Sequence, residues 1–213
     1  MKESKKLNEK AKSINDLLTL EYPVAECELI HDNSFQLLIA TILSAQTTDV
    51  GVNKVTPNLF KKFPDAQSLA QAKEPEIEKI IGSIGLFRTK AQRIIKCSQQ
   101  IMATFDGEIP TSIEDLTSLA GVGRKTANVV RAVALGLPGL AVDTHVKRLS
   151  NLLGLTNKKD PVAIELELNE LFDPEIWGEF SLRLILHGRR VCVARKPRCS
   201  DCLLSDVCPS VNM

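Results

Sequence analysis

Three features of the 213-residue sequence predict an all-α fold. Apolar residues recur at three- and four-residue spacing along most of it, helix-start signals punctuate it, and no segment keeps the alternation of a half-buried strand. The first helix follows from Leu7, Ala11, Ile14, Leu17 and Leu18, with Pro23 closing it. Asp32-Asn33-Ser34 opens the next, over FQLLIATILSA. Thr56-Pro57 is expected to start a new short helix at NLFKKF, keeping the proline out of a helix interior, and Pro75 to do the same further on. Asp65 precedes AQSLAQA, Ser112 has Asp115 three residues on, and Asp160-Pro161 precedes VAIELELNELF. Within that last segment ELEL alternates, but Ile164, Leu168 and Leu171 stand at helical spacing and favour a helix. About ten helices result, with no internal repeat and no low-complexity linker.

The composition, 44% hydrophobic and 25% charged, suits a globular chain with a core for one large or two small domains. With a formal net charge of +1, affinity for nucleic acid would have to come from local clusters of Lys and Arg. Nine aromatic residues are too few for a protein that stacks successive bases on its side chains. The amino terminus lacks the apolar core of a signal peptide, and its acidic residues speak against a transit peptide. The apolar runs at 126–135 and 180–186 are interrupted by Arg131 and Arg183, so they read as buried helices, and no membrane association is expected. A reducing cytoplasm is the expected location. Cys27 and Cys97 lie alone, whereas Cys192, Cys199, Cys202 and Cys208 crowd into the last 22 residues, which suggests metal before disulfides.

LAGVGRKTANVV, residues 119–130, follows a helix at 112–118 and leads into one expected from Arg124 to about Leu135: a helix-hairpin-helix. Gly121 and Gly123 are expected to take conformations that a Cβ penalises and to let another surface approach the main chain. The N–H groups behind them suit a backbone phosphate read without sequence information. A plain helix–turn–helix junction would need only the glycines. Lys125 adds something, because it stands in the first turn, where the helix dipole disfavours a cation. A positive helix terminus and partial burial would favour the neutral, nucleophilic amine. Lys125 is therefore a candidate nucleophile toward an electrophilic carbon. Eighteen residues on, Asp143 precedes HVKRL as a helix cap, and the same carboxylate could move protons and stabilise a developing cation. His145 reads as structural.

The cysteine spacing, Cys192-x6-Cys199-x2-Cys202-x5-Cys208, accommodates either zinc or an iron–sulfur cluster. Arg189, Arg190, Arg195, Lys196 and Arg198 surround these cysteines, a basic patch hidden in a near-neutral whole and suited to phosphates.

LAGVGRKTANVV followed by VDTHV, together with LLIATILSAQTTD at 37–49, IGLFRTKA at 84–91 and the cysteine spacing, closely resembles the helix-hairpin-helix DNA glycosylases, and within them the endonuclease III group. The resemblance extends over nearly the whole chain. It implies two α-helical domains, a six-helix barrel at 27–137 and a discontinuous cluster domain formed by 1–26 with 138–213. It implies a [4Fe-4S] cluster held by the four cysteines. It also implies a bifunctional glycosylase and abasic-site lyase of bacterial cytoplasm and nucleoid, a monomer acting on double-stranded DNA with oxidised pyrimidines or abasic sites. Lys125 matches the family's nucleophile, which attacks the sugar C1′, and Asp143 its essential carboxylate. Gln46 matches the residue that fills the space opposite the orphaned base, and Leu86 the wedge of a second intercalating loop; the bland alternatives are a polar helix end and a core leucine. Gly121, Gly123, Arg124, Arg190, Arg195 and Lys196 match or flank expected DNA contacts.

Two positions depart from the family. Ala120 stands where proline is usual, which should loosen the hairpin, and Thr117 stands where a glutamate bordering the active-site water is expected. Three rivals remain. An adenine-mismatch glycosylase is disfavoured by Lys125 and by the end of the chain five residues past Cys208, which leaves no room for an extra carboxy-terminal domain. A non-catalytic DNA-binding module would use the hairpin only to hold phosphates. An electron carrier would leave Gln46, Lys125 and Asp143 unexplained.

Overall fold

The computed structural model describes residues 2–211, and among these every regular element is helical. The helices are α1 (Lys2–Glu21), α2 (Ser34–Leu43), α3 (Asp49–Lys62), α4 (Ala66–Ala70), α5 (Glu74–Ile81), α6 (Phe87–Thr104), α7 (Ile113–Ser118), α8 (Arg124–Val129), α9 (Thr144–Leu152), α10 (Pro161–Leu171) and α11 (Trp177–Arg190), with short 3₁₀ turns at Pro174–Ile176 and Cys199–Asp201. Two compact units result: Cys27–Leu137, and Met1–Glu26 with Pro138–Met213. None of the described helices is long and apolar enough to cross a membrane.

Local chemistry sets most helix starts. Asn33 accepts from Gln36 N, Ser112 from Asp115 N and Asp160 from Ala163 N, each filling one of the orphan donors of a helix amino terminus. Asp65 and Ser68 cap each other reciprocally at α4. Pro75 lies in the first turn of α5.

Pro57 corrects the sequence reading, because it sits inside α3 rather than at a helix start. The helix begins instead at Thr48, whose hydroxyl accepts from Gly51 N at 3.2 Å, with Asp49 favourably placed in the first turn. The proline ring lies on the exposed side, and Val52, Val55, Thr56, Leu59 and Phe60 are buried on the other, so packing holds the helix across the lost hydrogen bond. The second hairpin helix also differs from a plain α-helix. It is α-helical only to Val129 and continues as a π-turn over Val130–Ala134, before Gly136 at φ +61° ends it.

Each unit has its own core. In Cys27–Leu137 it is formed by residues such as Leu37, Leu38, Ile39, Leu59, Ile77, Ile94 and Leu116. In the discontinuous unit, Ala11, Ile14 and Leu18 of α1 pack with Leu149, Ile164, Leu168, Phe180 and Leu184. Arg183 is buried there and satisfied, donating to Glu179 Oε2 at 2.6 Å and to the Tyr22 carbonyl at 3.2 Å.

Candidate functional site

The hairpin places its two glycines differently. Gly121 has φ +82°, and a Cβ there would lie 3.1 Å from Ile42 Cγ2 and 3.2 Å from Arg93 Cβ, so both conformation and packing demand glycine. Gly123 corrects the expectation: it is extended at φ −97°, and a Cβ would meet nothing within 4 Å. Space beside the chain, and not backbone strain, is what glycine provides at that position. The turn is also not loosened at Ala120. Its N–H, which a proline would lack, donates to Gln100 Oε1 at 2.7 Å, while Gln100 Nε2 donates to the Ser118 carbonyl at 3.2 Å. Thr117 turns its hydroxyl back to the Ile113 and Glu114 carbonyls.

Lys125 is the second residue of α8, behind Arg124, and its side chain is exposed, not half-buried as expected. Its charge reaches Cys27, whose thiol is raised by burial while Lys125 acts in the opposite sense. One turn along α8, Asn128 is buried and its Nδ2 has no partner. Cys27 belongs to no sequence pattern that marks a site, and only the fold brings it near this lysine, whereas Asn128 stands within LAGVGRKTANVV itself.

Gln46 and Leu86 lie at exposed, left-handed turns, with φ of 54° and 57°. Leu86, 56% exposed, is no core leucine. The two turns are neighbours, since a Cβ on Gly85 would stand 3.9 Å from the Gln46 carbonyl oxygen. Two non-glycine residues held at positive φ on adjacent exposed turns mark backbone that the surrounding structure constrains.

In the discontinuous unit Asp143 caps α9. Its Oδ1 accepts from His145 N and Val146 N, both at 2.8 Å, and its Oδ2 lies 3.2 Å from His145 Nδ1. The side chain remains 14% exposed. The carboxylate is thus oriented by three contacts and keeps an accessible edge.

Cys192, Cys199, Cys202 and Cys208 line one cavity of about 230 Å³, together with Arg148 and His187. None of the four is paired in a disulfide, so all four are available as ligands. Four cysteines lining one cavity suit a multinuclear cluster, which needs room between its ligands. Arg148 Nη2 donates to the Cys192 carbonyl at 2.5 Å and His187 Nε2 lies 3.4 Å from Cys202 Sγ, so the walls are cross-braced. Arg189, Arg190, Arg195, Lys196 and Arg198 are exposed around it. Arg190 lies over the Tyr22 ring, 5.8 Å from its centroid, and Arg198 donates to the Arg190 carbonyl.

A helical hairpin, an exposed lysine behind it and a four-cysteine segment together define a class, and residues 39–174 match the HhH-GPD superfamily of base excision DNA repair proteins. Residues 192–208 match the iron-sulfur binding domain of endonuclease III. Endonuclease III of Synechocystis sp. is 51% identical over 98% of this chain and 96% of its own, and that of Bacillus subtilis is 46% identical over 88% and 86%. A solved non-covalent endonuclease III–DNA complex superposes with a TM-score of 0.90 at 40% identity, covering 95% of each chain. A trapped endonuclease III–DNA covalent intermediate gives 0.88 at 41% identity, covering 94% of this chain and 96% of that one. The chain belongs to the endonuclease III family. It is a base-excision-repair DNA glycosylase and abasic-site lyase, and it carries a [4Fe-4S] cluster.

Proposed function

We propose that Lys125 is the nucleophile and Asp143 the working carboxylate of a bifunctional enzyme that removes oxidised pyrimidines from double-stranded DNA. The Lys125 amine attacks the sugar C1′ through its lone pair, and the glycosidic bond breaks with its electron pair leaving on the base, which takes up a proton. Loss of the amine proton and opening of the sugar ring leave a Schiff base between Nζ and C1′. A proton is then lost from C2′ and the C3′–O bond breaks, nicking the strand 3′ to the abasic site; water hydrolyses the Schiff base and frees the lysine. Asp143 stabilises the developing positive charge and passes protons at these steps.

The base has to leave the stack before C1′ can be reached. Gln46 fills the space it vacates and Leu86 wedges the step, apolar insertion being a common way to unstack and kink a duplex. Gly121, Gly123 and Arg124 hold one stretch of phosphate backbone, and Arg190, Arg195 and Lys196 another. Cys192, Cys199, Cys202 and Cys208 hold the cluster, which with four thiolate ligands serves to fix the basic loop around it. On the same reading residues 27–137 are the barrel domain, 1–26 with 138–213 the cluster domain, and the enzyme works as a monomer on lesion-bearing or abasic DNA at the bacterial nucleoid.

The observation that carries this reading is Lys125 itself: an exposed amine at a hairpin helix start, in a chain 41% identical to a relative trapped covalently on DNA. Borohydride trapping on a duplex with one thymine glycol tests it. A covalent complex is expected from the wild type and none from Lys125→Gln. Base release by the wild type without a trapped complex would make the enzyme monofunctional and remove the nucleophilic role of Lys125. Binding without base release, on lesion and abasic DNA alike, would leave a DNA-binding module.

A further inference from the structure

Lys90 is buried to 2% exposure, yet it is a lysine in the wall of an apolar core. Its neighbours Ala91, Ile94 and Ile95 on α6 are buried as well, and burial pushes the Lys90 amine below its ordinary pKa. A methionine would fill similar space without the desolvation cost, so packing alone does not account for an amine here. Its contacts do. Lys90 Nζ donates to Thr47 Oγ1 at 2.6 Å, and Lys90 N donates to the Leu86 carbonyl at 3.0 Å. Thr47 directly follows Gln46, and its own N–H donates to the Ser44 carbonyl at 3.0 Å. One residue thus grips both left-handed turns, the Leu86 turn through its main chain and the Gln46 turn through its side chain.

Resting on the assignment of Gln46 and Leu86 to the DNA duplex, we propose that Lys90 is a positioning residue that ties the two intercalating turns into one unit, so that void filling and wedging occur together. Positive φ at Gln46 and Leu86 persists only where surrounding contacts hold it, and the Lys90–Thr47 bond is a side-chain hydrogen bond that runs to the Gln46 turn from the helix the Leu86 turn opens. Thr48 fixes the far side of the Gln46 turn by capping α3, which leaves the Thr47 side chain as the point where α6 can act on it.

The test compares two substrates for the full-length, cluster-loaded protein. One is a duplex with a single thymine glycol, which requires base extrusion. The other is a single-stranded abasic oligonucleotide, which has no opposing base and nothing to extrude. Lys90→Met and Thr47→Val are expected to lower the ratio of duplex to single-strand cleavage by about tenfold, the fold-change of losing one hydrogen bond to a charged group. The double variant should be no worse than either single one, because both remove the same bond. 2-Aminopurine opposite the lesion should lose most of its fluorescence rise on binding. A role in folding alone would lower both activities in proportion and leave the ratio intact, and that outcome, or an unchanged ratio in Thr47→Val, overturns the assignment. Should Lys90→Met not fold, Thr47→Val still decides. A wild type inert on both substrates overturns the underlying reading of the site and this role with it.

Discussion

Gly121 and Gly123 are two residues apart, yet replacing each by alanine should have opposite consequences. For Gly121→Ala, a Cβ at φ +82° costs about 1–2 kcal/mol. Contacts of 3.1 Å to Ile42 Cγ2 and 3.2 Å to Arg93 Cβ force neighbours to shift, about 1 kcal/mol more by the usual cost of mild overpacking. Reduced freedom of the unfolded chain returns about 0.4–1 kcal/mol. The net loss is about 2 kcal/mol, or about 4–8 °C in melting temperature for a chain of this size. Gly123→Ala meets no atom within 4 Å and needs no unusual backbone, so its stability should match the wild type or exceed it by about 0.4–1 kcal/mol. Its affinity for duplex DNA carrying a non-cleavable abasic analogue should fall instead, because the methyl occupies space proposed for a phosphate. Thermal unfolding by circular dichroism and titration of labelled duplex read the two quantities separately. The account of the hairpin fails if Gly121→Ala melts with the wild type, or if Gly123→Ala loses more than about 1 kcal/mol.

Other outcomes follow from the same geometry. Cys199→Ser should lose most of the iron–sulfur absorbance, whereas Cys97→Ser should retain it, since Cys97 is a core thiol that burial pushes up to about 12 and that lies outside the cavity; equal losses would refute the ligand assignment. Gln100→Ala removes the bond to Ala120 N–H and should cost about 1 kcal/mol by chemical denaturation. The pKa of Lys90 is lowered on folding from 10.5, so the unfolded chain binds more protons below that value and wild-type stability should rise as pH climbs toward 10.5. Lys90→Met lacks this term, so the stability difference between the two proteins should move in favour of the wild type over the same range; a constant gap would mean that the amine titrates normally. Thr117→Glu should shift the pH profile of strand cleavage, because it restores a carboxylate expected beside the active-site water, and overlapping profiles would show that Thr117 has no bearing on proton transfer.

Much of this protein was legible one short segment at a time. Asn33, Asp65, Ser112, Asp143 and Asp160 announce helix starts because a cap bonds to an N–H two or three residues away, an interaction contained in the local sequence. The spacing of Cys192, Cys199, Cys202 and Cys208 likewise survives folding as a shared cavity. Local rules failed at Pro57, where burial of Val52, Val55, Leu59 and Phe60 outweighs the helix-breaking preference of one exposed ring. They also could not separate Gly121 from Gly123, identical in sequence but distinguished by Ile42 and Arg93, which approach only one of them. Nor could they place Lys125 at the surface and bury Lys90, since the exposure of a lysine depends on which helices pack over it. The helical class, most helix starts and the cysteine framework could be read along the chain because each depends on residues close together in it. That Lys90 reaches Thr47 across 43 positions emerges with helix packing alone, because the burial of an amine and its hydrogen-bond partner come from contacts distant in sequence.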